Sequence, residues 1–113
     1  MQVLYKIIDA AAWAEAEAIG AFKGAAIDLK DGYIHLSIAN QVRETARLHF
    51  AGVPNLLLVA IDEDVVANHL KWEASRGGQL FPHVYGVIDP KRVLWVKPLP
   101  WDGAAHLFPA EMK

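Results

Sequence analysis

The sequence predicts an α+β domain built on a mostly antiparallel sheet. Three observations carry that prediction. Strand-like runs such as "QVLYKII", "NLLLVAI" and "VLWVKPL" are spread along the chain. Two helical segments, "AAAWAEAEAI" and "ANQVRETARLHFAG", stand among them without strict strand–helix alternation. At 113 residues the chain suits one domain, with a core over about residues 2–98 and a tail over 99–113.

The elements follow in order. "QVLYKII" is rich in β-formers and reads as the first strand, residues 2–8. Asp9 is a good N-cap for the helix after it, worth about 1 kcal/mol, and Gly20 stops that helix. "AFKGAAIDLKDG" holds two glycines and an Asp-Gly turn signal, so it reads as mostly loop. "YIHLSI" is the second strand. The second main helix turns Val42, Ala46, His49 and Phe50 to one face and ends at Gly52. "NLLLVAI" is apolar throughout, which suits a central strand covered on both faces. "DEDVVANH" is a turn with one helical turn, "LKWEA" a short strand and "SRGGQ" a loop. In "LFPHVYGVI", Pro82 points to an edge strand or an irregular segment. "VLWVKPL" is the last strand, and the tail has no clear period.

Composition narrows the function. Eleven basic residues against thirteen acidic give a formal charge of −2. The overall surface therefore offers no electrostatic case for nucleic acid. There is no cysteine, which excludes disulfides, thiolate catalysis and thiolate-bound metal. No apolar run reaches about 18 residues, and the N-terminus shows no leader pattern. The expectation is a cytoplasmic protein with no membrane partner, and the sequence leaves its oligomeric state unknown.

The polar residues inside strands are the functional signal. Alternation puts Ile34, Leu36 and Ile38 on one face of the second strand and Tyr33, His35 and Ser37 on the other. The first face is core. The second, a phenol, an imidazole and a hydroxyl in a row, suits a cleft wall. The alternatives are a half-exposed strand with His35 paired to a backbone carbonyl, and Ser37 as a helix N-cap. In "FPHVYG", Phe81, His83 and Tyr85 share a face, two aromatics around an imidazole, on which a planar ligand ring can stack. An aromatic edge packed on a helix is the alternative there. Glu73 ends a short strand before the loop that carries Arg76. A carboxylate there can act as a base or hold a ribose hydroxyl, and Arg76 can hold a phosphate; both can equally be solvated surface residues. Of the five histidines, His49 reads as core and His69 and His106 as surface. His35 and His83 with Glu73 could ligate a metal, but the spacing matches no metal motif and none is expected.

"LYKI", "GYIHLS", "KWE" and "FPHVYG", in that order, resemble the bacterial family called domain of unknown function 952, over roughly residues 3–98. That resemblance implies the ADP-ribosylation fold, a compact α+β domain with two main helices. Its split antiparallel sheet forms an NAD-binding cleft in toxins and transferases. "IHLS" is also similar to the segment of RNA 2′-phosphotransferases, which share the fold and use NAD. The family's recurring polar positions fall on His35, Ser37, Glu73 and His83. Where the family usually has His, this chain has Lys6, which keeps a donor and a charge but lacks the flat face and acceptor of imidazole.

The expected function is binding of NAD or ADP-ribose and transfer or hydrolysis of an ADP-ribosyl or phosphoryl group. Glu73, His35 and His83 are the expected catalytic groups; Lys6, Tyr33, Ser37, Arg76, Phe81 and Tyr85 line the ligand. A non-catalytic nucleotide- or metabolite-binding module and a metal-assisted hydrolase are the alternatives.

Overall fold

The computed structural model describes residues 1–112. Six strands and four α-helices are found among them, and every strand pairing is antiparallel. The strands form two three-stranded sheets. In the first, β3 (Leu56–Asp62) lies between β1 (Val3–Asp9) and β6 (Trp95–Leu99). In the second, β5 (Leu80–Val84) lies between β2 (Ile34–His35) and β4 (Leu70–Ala74).

The first sheet is the middle layer. Leu4 and Ile8 of β1, with Val59 and Ile61 of β3, face the second sheet, whose Ile34 and Val84 join the same cluster. Trp13 and Ala16 of α1 (Ala10–Ile19) complete that side. Tyr5, Ile7, Leu58 and Ala60 face the other way, against Val42 and Ala46 of α3 (Ala39–His49). Coverage on both sides is why "NLLLVAI" carries no polar alternation. Full burial of a Leu or Ile side chain stabilises by about 1.5–3 kcal/mol. Lys6 lies between Leu4 and Ile8 on β1, so its amine points at the second sheet, inside the protein.

The first helix is as the sequence predicts. Asp9 accepts hydrogen bonds from the N–H groups of Ala11 and Ala12 at 3.1 and 3.2 Å, and Gly20 ends the helix at φ 88°. The predicted helical turn after β3 is α4 (Glu63–Val66), capped by Asp62.

Several expectations are corrected. The segment read as loop contains α2 (Ala26–Asp31). Six residues carry too little periodicity to show, and α2 is anchored by Asp28, whose partner Lys6 lies 22 positions back along the chain. Among the described residues α2 is thus a helix beyond the two main helices and the one helical turn that were expected. The second strand, expected over 33–38, pairs with β5 at only two positions. The chain then crosses to the first sheet, where Ser37 and Tyr5 exchange backbone hydrogen bonds at 2.7 and 2.9 Å. Pro82 sits in the central strand of its sheet, not at an edge. Its carbonyl accepts from Leu36 at 3.0 Å, and its missing N–H faces the same residue, just past the end of β2, where the chain leaves that ladder. Ser37 is not the N-cap of α3; Ile38 is.

Two histidines also differ. His49 ends α3 and is exposed, while Gln41 joins Val42 and Ala46 on the buried face. His106 is buried rather than at the surface. Its Nε2 lies 3.0 Å from the Val53 carbonyl and its ring packs on Trp101. The tail folds back, so that Phe108 and Met112 cover the cluster under α3. His69 is exposed, as read from the sequence.

Candidate functional site

β2 and β5 are neighbours, and their register puts His35 directly opposite His83. The two imidazole centroids are 5.5 Å apart, and both rings line one cavity of about 540 Å³. The cavity lies where the chain passes from one sheet to the other, roofed by α3. Lys6, Ser37, Arg76 and Phe81 also line it. Glu73, Tyr33 and Tyr85 are packed around the histidines instead.

Each histidine has a carboxylate at Nδ1. His35 Nδ1 is 2.6 Å from Asp28 Oδ1 and His83 Nδ1 is 2.7 Å from Glu73 Oε1. A carboxylate only accepts, so each Nδ1 carries the hydrogen and each ring is fixed in one orientation. At His35, Nε2 meets a second carboxylate, Asp31 Oδ2, at 3.0 Å. His83 Nε2 makes no hydrogen bond to a described residue, and the residue is only 3% exposed. The Tyr33 ring packs against both imidazoles, at 4.6 Å from His35 and 4.1 Å from His83.

Asp28 is the site residue that the sequence did not reveal. Buried under the cavity floor, its carboxylate takes Lys6 Nζ at 2.8 Å, the Ala25 N–H at 2.8 Å and the His35 N–H at 3.1 Å. Burial alone raises its carboxyl pKa; the Lys6 charge and the donors from Lys6 and His35 outweigh that and hold it below the usual range. Lys6 also donates to the His35 carbonyl at 3.1 Å. Its ammonium is thereby engaged with two partners inside the protein. The one available signal was Gly24 and Gly32 bracketing "AIDLKD". Gly24 adopts φ 124°, and a Cβ there would lie 2.8 Å from Asp28 Cβ.

Glu73 Oε1 accepts from both His83 and the Tyr85 hydroxyl, each at 2.7 Å. The His83 bond, then the Tyr85 bond, lowers the Glu73 pKa. Reciprocally, the Tyr85 phenol is pushed up to about 12, mainly by its bond to Glu73.

Arg76 sits in a tight turn with Gly77 and Gly78, both at positive φ. Its guanidinium lies 5.0 Å from the Phe81 ring centroid and donates to the Thr45 hydroxyl at 3.2 Å. Thr45 Oγ1 is in turn 3.3 Å from Ser37 Oγ, which ties α3 to the cavity wall. Among the described residues, no group of three or more His, Asp or Glu is arranged to hold a metal ion. No described helix is long and apolar enough to cross a membrane.

Residues 7–96, from Ile7 to Val96, match the model of the family described as "Protein of unknown function (DUF952)". The chain belongs to the DUF952 family. The matched span holds His35, Glu73, Arg76 and His83, whereas Lys6 and the tail fall outside it. Solved structures share the fold. The crystal structure of protein CC0527 from Caulobacter crescentus is 42% identical over 93% of each chain, with a TM-score of 0.89. A solution NMR structure of the same protein gives 43% identity over 94% of this chain and 91% of that one, with a TM-score of 0.83. No curated protein matches the chain.

Proposed function

We propose that this chain binds NAD or ADP-ribose in the cavity beside His35 and His83, and transfers or hydrolyses the ADP-ribosyl or phosphoryl group held there. One observation carries the reading: His35 and His83, opposite each other on neighbouring strands, line one cavity together with Arg76 and Phe81. Its volume, about 540 Å³, lies within the roughly 300–1,000 Å³ range of small-molecule sites. Arg76 supplies a cation for a phosphate, Phe81 a face for a planar ring, and His83 Nε2 a group that takes or gives a proton.

The family resemblance to the ADP-ribosylation fold supports the choice of ligand. In that fold NAD occupies a cleft in a split antiparallel sheet, and here the cavity lies at the seam between two antiparallel sheets. Glu73 acts through His83 in this reading. It holds the ring from behind and does not line the cavity.

A second reading, a binding module without turnover, is favoured by one feature. Lys6 Nζ is committed to Asp28 and the His35 carbonyl, so the charge expected from the first strand is already neutralised. Calorimetric titration with NAD, ADP-ribose and a 2′-phosphorylated RNA tests both. Binding with slow turnover that is absent in Glu73→Ala supports the enzyme; binding without turnover supports the module. No heat with any of the three at millimolar concentration contradicts both.

A further inference from the structure

The two carboxylates on His35 are unlike each other. Asp28, at Nδ1, is 1% exposed and locked by Lys6 and two backbone N–H groups. Asp31, 3.0 Å from Nε2, has a side chain 36% exposed, lines the cavity, and makes no hydrogen bond to a described residue. It is the last residue of α2, directly before Gly32 at φ 88°. Nothing in the fold fixes its side chain except this close contact with His35.

The same cavity holds two further unused polar positions. His83 Nε2 is unpartnered on a residue 3% exposed. The Arg76 guanidinium has five N–H donors, of which the Thr45 hydroxyl and the Gln41 carbonyl take two. An imidazole nitrogen without a protein partner, on a residue that lines a cavity, is free to meet a ligand atom. An exposed carboxylate and a phosphoryl group present the same chemistry to an imidazole N–H: anionic oxygens at hydrogen-bond distance.

We infer that Asp31 is a built-in stand-in for the anionic group of the ligand. The bound molecule's phosphoryl oxygens displace the Asp31 carboxylate from His35 Nε2 and take Arg76 and, with a proton between them, His83 Nε2 as their other partners. Asp31 is therefore a competitor, and its charge sets how strong an anion must be to enter. The inference deepens the nucleotide reading, which supplies only the kind of anion.

Inorganic pyrophosphate, titrated by calorimetry at near-neutral pH into the wild-type chain and into Asp31→Asn, reads the competition. The variant is expected to bind pyrophosphate about tenfold more tightly, the factor that corresponds to about 1.4 kcal/mol. Asp31→Ser, which also shortens the side chain, is expected to show the same gain. His83→Gln is expected to weaken binding in either background. Equal or weaker binding by both Asp31 variants, or no binding by any form, overturns the inference and leaves Asp31 as a brace for the turn into β2. NAD and adenosine, run in parallel, separate the two levels. NAD binding without any Asp31 effect leaves the nucleotide reading standing and this inference wrong. A pyrophosphate gain with no NAD binding does the reverse. An equal gain for uncharged adenosine and for NAD also counts against the stand-in role.

Discussion

Lys6 Nζ and Asp28 Oδ2 meet at 2.8 Å in the interior, with 7% and 1% of their side chains exposed. The pair joins the first strand of one sheet to the helix that positions β2 of the other. Removing one partner strands the other charge away from water, which typically costs about 3–5 kcal/mol. Lys6→Met and Asp28→Leu are each expected to lower the unfolding free energy by about that much in urea melts. Lys6→Met combined with Asp28→Leu is expected to cost less than the sum of the singles, because no lone charge remains.

The same pair sets an acid limit. Asp28 has a carboxyl pKa below its ordinary value of 3.8 in the folded chain. A depressed carboxyl stabilises the fold above the unfolded pKa and loses that contribution as pH falls through the folded one. Stability is therefore expected to fall below about pH 4 with a component that disappears in the Lys6→Met, Asp28→Leu double variant. Urea midpoints measured across that range check it.

Tyr85 should titrate abnormally. Its phenol is pushed up to about 12 by the bond to Glu73. Glu73→Gln is expected to bring it down toward its ordinary value of 10.0. NMR of the Tyr85 ring against pH reads the shift; an unchanged titration in the variant contradicts the Glu73–Tyr85 bond.

Gly24 tests the placement of α2. Gly24→Ala meets both a positive φ and a close approach to the Asp28 Cβ, which no side-chain rotation relieves. The expected loss is about 1–3 kcal/mol of stability by thermal or urea melts. Gly20→Ala, where nothing lies within 4 Å, meets only the positive φ and is expected to cost less.

What could be read from the sequence was what local pattern encodes. Asp9 and Gly20 mark α1 because caps act on adjacent residues. The run Leu56–Asp62 marks a central strand because burial on both faces leaves a bare apolar signature. Alternation also sorted Tyr33, His35 and Ser37 from Ile34 and Leu36, and Phe81 and His83 from Val84. The rest depends on contacts between distant residues. α2 is held through Asp28, whose Lys6 partner is 22 positions away. Pro82 is tolerated in a central strand because β2 ends opposite it, which no local rule can show. His106 is buried through a carbonyl 53 positions back. At the site, the two histidines were legible as candidates, but the carboxylates that orient His35 were not, because α2 itself was not.

The most direct measurement is a crystal structure of the protein soaked with ADP-ribose. The ligand is expected in the cavity, with a phosphate oxygen within hydrogen-bond distance of His83 Nε2 and a ring against Phe81. An unoccupied cavity at millimolar ligand, or ADP-ribose bound elsewhere with His35 and His83 untouched, contradicts the central claim.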